Sequence, residues 1–188
     1  KQIKPFLDLA ETLGKIETQL VDSPIKSVSV ECFGNIDDSK PIALSFLIGL
    51  FHDMTDNRIN FVNASIIAED RGIALSHSLN TETISFANLI AAHVITENGT
   101  IKVAGSVFGD QHSRIVDIMG YEVDVRPEGN MLFVQNKDVP GVIGKVGFAL
   151  GENKVNIAEY LLSRTSNNDS AYSIIKFDGI IDDALLEE

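Results

Sequence analysis

The sequence predicts an α+β fold, and three observations carry that prediction. Near the start, apolar residues recur at helical spacing, at positions 6, 9, 10, 13, 16 and 20. Further on, they alternate with polar residues in several short runs separated by Gly, Asn and Pro. Near the end, a helical stretch at 142–152 lies between strand-like runs. With 188 residues, 44% of them hydrophobic and 22% charged, the chain can bury a core in one large or two small domains.

Pro5 suits the first turn of a helix presenting Phe6, Leu9, Ala10, Leu13, Ile16 and Leu20 on one face. Asp22-Ser23-Pro24 ends that helix, and Val28, Val30 and Cys32 then alternate with Ser27, Ser29 and Glu31 as a half-buried strand. After a polar turn at 34–39, Ser39 is expected to cap a helix with Pro41 in its first turn. That helix, 42–51, is apolar on nearly every side, so it should be buried or lie in a subunit interface. Asn63 offers a cap for a short helix through Arg71, and Gly72 a terminator. Ile73, Leu75, His77 and Leu79 share one face of the next strand. The stretch 89–96 is compatible with helix or strand, but the turn Glu97-Asn98-Gly99-Thr100 and the β-compatible run 101–108 favour a strand. Residues 114–118 and 121–125 form a hairpin turning at Met119-Gly120. Arg126-Pro127-Glu128-Gly129 is the best linker, which divides the chain into domains 1–128 and 129–188.

The second domain reads as a strand at 131–135, a loop at 136–141, a helix at 142–152, strands at 155–163 and 171–177, and a helix opened by Asp182 and Asp183. Gly141, Gly144, Gly147 and Gly151 leave a smooth stripe on the first of these helices, suited to close packing against a sheet. The order β-α-β-β-α is that of a ferredoxin-like βαββαβ unit lacking its last strand.

Composition narrows the function. Lys plus Arg is 15 against Asp plus Glu at 27, a net charge of −12, which argues against a nucleic-acid binder or an anionic-membrane binder. The run 42–51 is too short to cross a bilayer, and no signal peptide is expected. Cys32 stands alone on the apolar face of a strand, which excludes internal disulfides, points to an inert buried thiol and suggests a reducing cytoplasm. His52, His77, His93 and His112 are scattered and predict no metal site. Neither G-x-G-x-x-G nor a P-loop occurs, so no cofactor is expected in this stretch.

Two patterns remain. Asp138-x-Pro140-Gly141 precedes a helix, and Asn156 opens the strand after it. Free amides at the helix start can receive a carboxylate and Asp138 an ammonium group, while Asn156 both donates and accepts; together they match an amino-acid zwitterion. The plainer reading is that Asp138 shapes the turn and Asn156 closes a loop. Arg114 and Arg126 flank the hairpin of the first domain; they either form a local anion site or are solvated beside acidic partners.

The segment Asn136-Lys137-Asp138-Val139-Pro140-Gly141-Val142-Ile143-Gly144-Lys145-Val146, followed by Val155-Asn156-Ile157-Ala158, resembles an ACT regulatory domain of the type that ends long-form D-3-phosphoglycerate dehydrogenases. The part before it is similar to the allosteric substrate-binding domain of those enzymes, through Val62-Asn63-Ala64, Ala68-Glu69-Asp70-Arg71-Gly72 and Val103-Ala104-Gly105-Ser106-Val107-Phe108-Gly109. The strand pair through Gly120-Tyr121 and Asp124 also fits, so the resemblance covers essentially the whole chain. It implies a homo-oligomer in serine biosynthesis with L-serine as feedback effector, held by Asn136, Asp138 and Asn156 at an interface between subunits. It also implies an anion site at Arg114 and Arg126 for phosphate or 3-phosphoglycerate. NAD and the catalytic Arg, Glu and His set would belong to domains outside this stretch, which would itself have no dehydrogenase activity. Two other functions fit less well: the small subunit of an iron–sulfur L-serine dehydratase, whose serine- and histidine-rich motif is not found here, and a stand-alone amino-acid-binding or oligomerisation module.

Overall fold

The computed structural model of the chain describes residues 3–55, 58–81, 85–109, 111–165 and 169–186. It divides into two compact units, Lys1–Gly120 with Asp124–Pro127, and Tyr121–Val123 with Glu128–Glu188. Helices combine with largely antiparallel sheets, the α+β class that the sequence predicts.

The first helix, α1 (Lys4–Leu20), buries Phe6, Leu9, Ala10, Leu13 and Ile16 as its spacing predicts. The position that continues this face is taken by Glu17, fully buried, rather than by Leu20. Neither carboxylate oxygen of Glu17 has a hydrogen-bond partner. Burial pushes its carboxyl well above the usual range; the backbone of Val103 and Val94 comes close enough to oppose this in part, without a well-formed hydrogen bond.

After β1 (Ile25–Gly34), helix α2 (Lys40–Leu50) crosses α1 with backbone nearly touching backbone. A Cβ added at Gly14 would lie 2.2 Å from the Phe46 carbonyl oxygen, and one at Gly49 would lie 1.9 Å from that of Glu11. Side chains stitch the crossing, since Ser45 Oγ donates to the Leu7 carbonyl at 2.8 Å and Thr18 Oγ1 donates to that of Leu50. Ile42, Ala43, Phe46, Leu47, Leu50 and Phe51 are all fully buried inside this unit. The apolarity of α2 therefore supplies no argument for a subunit interface.

Two expected caps fail for one reason. Ser39 and Asn63 already have helical backbones, so their side chains do not turn back onto the first amides. Ser39 Oγ instead lies 2.9 Å from His77 Nδ1, and Asp38 takes over by accepting from the Lys40 amide at 3.0 Å. Asn63, before α3 (Ala64–Asp70), ties down the preceding loop by accepting from the Asn60 amide at 2.8 Å and donating to the Arg58 carbonyl at 3.0 Å. Arg71 closes α3 by donating to the Met54 carbonyl at 2.7 Å and lying over the Phe51 ring.

The remaining strands of this sheet are β2 (Ala74–Asn80), β3 (Asn88–Thr96), β4 (Thr100–Phe108), β5 (His112–Ile118) and β6 (Tyr121–Val125). Their order is β2-β1-β3-β4-β5-β6, with β1 parallel to β2 and antiparallel to β3. The ambiguous stretch is a strand, since Asn88, Ile90, Ala92, Val94 and Thr96 are buried while the residues between them are half-buried. Cys32 is fully buried, and its thiol is pushed up to about 12, by burial first and by Asp38 second. Met119 and Gly120 both take positive φ in the turn from β5 to β6, as a tight two-residue hairpin requires.

The second unit contains β7 (Asn130–Lys137), α4 (Val142–Glu152), β8 (Asn156–Arg164), β9 (Ser170–Asp178) and α5 (Asp183–Leu186). Its sheet has the order β7-β9-β8, and β9 is antiparallel to both neighbours. Strands β7 and β8 therefore run parallel on either side of β9 with α4 joining them, the split βαβ arrangement. Asn136 and Lys137, expected in a loop, extend β7 and pair with Ala171 and Ser170. Leu150, Val155 and Ile175 form the core, with Leu132, Val134, Val146 and Tyr160 against it.

The glycine stripe does not pack on the sheet. A Cβ at Gly144, Gly147 or Gly151 would meet nothing within 4 Å, and Phe148 beside them is 66% exposed. Val146 and Leu150, one turn apart, are the residues that reach the core, and they turn the glycines away from it.

Candidate functional site

Strand register assembles one groove within the second unit. Asn136 on β7 and Arg164 on β8 both pair with Ala171 of the central strand, and Leu162 pairs with Ser173 two rungs along. Cross-strand partners share a face with one another and with the residues two rungs along. The face here is that of Ile175, which belongs to the core, so Asn136, Leu162 and Arg164 all lie on the side that α4 covers. At the same end the chain turns from β7 into α4 through Asp138, Val139, Pro140 and Gly141. Together with Val142 and Ile143 these residues line a cavity of about 290 Å³.

The turn is built for that approach. The Asp138 amide donates to the Asp169 carbonyl at 2.7 Å, which anchors the turn to the chain entering β9. Gly141 stands at the cap position with φ +94°, a conformation that a side chain would oppose, and it offers no side chain to the first amides of α4. Asn136 Nδ2 donates to the Lys137 carbonyl at 2.7 Å, while its Oδ1 is buried without a partner. Asp138 Oδ2 lies 2.8 Å from Arg164 Nε. The groove therefore holds a carboxylate, an unused carbonyl acceptor, uncapped helix amides and walls of Val139, Ile143 and Leu162. No local pattern in the sequence marks Arg164. Its contact depends on the alignment of three strands, although the alternation of Tyr160, Leu162 and Arg164 on β8 is visible in the sequence.

Asn156, the third residue expected with Asn136 and Asp138, lies elsewhere in the chain. It opens β8, pairs with Asp178, and its Nδ2 donates to Asp178 Oδ2 at 2.8 Å. Arg164 closes the same strand eight residues later, about 27 Å away at the usual rise per residue. A single copy does not bring Asn156 to the groove. In the first unit, Arg114 is mostly covered and its Nη1 lies 3.5 Å from Asp124 Oδ1, whereas Arg126 is exposed. Among the described residues, no group of three or more His, Cys, Asp or Glu side chains could hold a metal ion, and no helix is long and apolar enough to cross a membrane.

A profile of the D-3-phosphoglycerate dehydrogenase intervening domain matches residues 2–119, well over half of the chain. The chain belongs to this intervening-domain family. The match takes in α1 through β5 and stops before the groove. Similarity to complete proteins runs further. The D-3-phosphoglycerate dehydrogenase of Bacillus subtilis is 30% identical over 189 residues, covering 100% of this chain and 36% of that protein. That of Archaeoglobus fulgidus is 31% identical over 202 residues, covering 97% of this chain and 38% of that protein. That of Mycobacterium tuberculosis is 30% identical over 187 residues, covering 97% and 35%. This member of the intervening-domain family thus spans about a third of the length of the curated relatives it matches, and the groove falls within the shared stretch.

Proposed function

We propose that this chain is the regulatory part of an NAD-dependent D-3-phosphoglycerate dehydrogenase and that its second unit is an ACT-type sensor of L-serine. The reading is carried by one observation: a small groove lined by Asp138, by Asn136 with its unpaired Oδ1, and by the uncapped first residues of α4. Asp138 and Asn136 are suited to an ammonium group, and the amides to a carboxylate. The names of the relatives and the resemblance to ACT domains support the choice of serine, the end product of the pathway that such a dehydrogenase opens.

Asn156 joins the site from a second copy. Strand β8 is the outer strand of its sheet, and an antiparallel meeting of two β8 strands about a two-fold axis near Tyr160 brings the end of β8 that holds Asn156 in one copy to the end that holds Arg164 in the other. Serine then bridges two chains in a cytoplasmic homo-oligomer. It biases the enzyme by its differential affinity for two modes of assembly. Arg114 and Arg126 take phosphate or 3-phosphoglycerate in this reading, with Asp124 as the counter-ion that the ligand displaces. NAD and the chemistry of hydride transfer belong to other parts of the parent enzyme, and this stretch alone does not turn over substrate.

The test is calorimetric titration of the chain with L-serine and a panel of other amino acids, repeated on Asp138→Ala. Serine should bind preferentially, and the variant should lose roughly tenfold to a hundredfold in affinity, the worth of one charge-assisted hydrogen bond. Unchanged affinity in a folded variant refutes the assignment.

A further inference from the structure

The ammonium seat of the groove is already occupied by a cation of the chain itself. Arg164 Nε lies 2.8 Å from Asp138 Oδ2, with the Arg side chain 65% exposed and that of Asp138 33% exposed. Both residues line the cavity. Building on the amino-acid reading above, we propose that Arg164 competes with the ligand for Asp138 and so sets its affinity, while the unserved Asn136 Oδ1 restricts the groove to ligands whose ammonium group has N–H donors to spare.

Displacement is favourable because the two cations differ in what they satisfy. The Asn136 amide has committed its Nδ2 to the Lys137 carbonyl, and its buried Oδ1 is left without a donor while Arg164 holds Asp138. An ammonium group is compact and carries three donors, so one ligand nitrogen can serve Asp138 and Asn136 Oδ1 together. The guanidinium is rigid and planar, and its contact with Asp138 leaves that acceptor unserved. When released, Arg164 returns to water that it already touches over most of its side chain. The ion pair therefore lowers affinity by a modest, constant factor for every ligand, and the second acceptor returns the loss only to a ligand with N–H groups to spare. A trimethylated nitrogen carries the same charge but donates nothing, and it should be rejected.

The 188-residue chain and its Arg164→Gln variant are titrated calorimetrically with L-serine and with N,N,N-trimethylserine, with circular dichroism recorded on both proteins. Serine should bind Arg164→Gln about two- to fivefold more tightly than wild type, the worth of one exposed ion pair, and the trimethylated compound should bind neither. Weaker binding by Arg164→Gln would mean that Arg164 contacts the ligand directly, and equal binding would make it a bystander. Either result overturns the competition and leaves the amino-acid site standing. Trimethylserine binding as tightly as serine overturns the requirement for N–H donors. If serine binds neither protein, the amino-acid site fails and the competition with it.

Discussion

Mixing two impaired variants separates a site built within one copy from one shared by two. Asp138→Ala removes the acceptor for the ligand's ammonium and leaves the Arg164 cation facing the same seat with nothing to balance it. A charge-assisted bond is worth about 1.5–3 kcal/mol, so serine affinity should fall roughly tenfold to a hundredfold. Asn156→Ala removes an uncharged amide; a neutral hydrogen bond from it to the ligand is worth about 0.5–1.5 kcal/mol, so the fall there is roughly two- to tenfold. Because Asn156 and Arg164 close opposite ends of β8, the shared arrangement draws each site from two chains. Random reassortment in an equal mixture makes about half of all two-fold pairs mixed, and each mixed pair has one site with both residues intact. About a quarter of the sites in the mixture should then bind serine as wild type does. Titration after subunit exchange reads this directly as a tight class of sites that neither parent protein shows. If the mixture only averages its parents, with both variants folded, the two residues do not meet across an interface and the shared site is wrong.

The helix crossing and the buried acid make two further tests. Gly49→Ala drives a Cβ into the backbone carbonyl of Glu11, which no side-chain movement relieves, so it should cost about 3 kcal/mol or more in denaturant unfolding. Gly147→Ala, on the open side of α4, should instead stabilise by about 0.5–1 kcal/mol, and a loss there as large as at Gly49 would refute the assignment of the two faces. Glu17 has its pKa raised by burial, so the folded state keeps a proton that the unfolded chain gives up. Its penalty on stability is absent below the ordinary carboxylate pKa and grows as pH rises toward the folded value. The melting temperature of Glu17→Gln should thus pull ahead of wild type as pH rises above the ordinary carboxylate range, and a gap that narrows with rising pH would contradict this.

Periodicity makes much of the architecture legible in the sequence. The 3.6-residue pattern marks α1, and period-two alternation marks β1, because each element buries one face and those faces must be apolar. What escaped depends on partners remote in sequence. Glu17 sits where an apolar residue continues the buried face, and hydropathy carries no sign that a carboxyl will fill it. Ser39 and Asp38 are equally good capping types one residue apart, and the choice between them turns on the backbone angles of Ser39 and the nearness of His77. Gly144 and Gly147 advertise close packing, yet the side of α4 that meets the sheet is decided by Val146 and Leu150. Of the groove, Asp138 and the turn at Pro140-Gly141 were readable as a local pattern. Arg164 was not, because its place opposite Asp138 exists only once β7, β9 and β8 are in register.

The parallel pairing of β1 with β2 determines where this fold can change in length. Strands β1 and β3 are antiparallel neighbours, a pairing that a short turn would close, yet residues 35–87 intervene. That excursion carries α2, α3 and β2, and it adds β2 only to the outer side of β1. The rungs joining β1 to β3, β3 to β4 and β4 to β5 keep their partners whatever the length of the detour. A residue gained in the tight connection from β3 to β4 must instead be absorbed in a longer turn, or it slips β3 against β4 by one rung and turns a buried row outward. The detour can thus change length without moving a rung of the strands that follow, whereas each hairpin ties the length of its turn to the register of its own two strands.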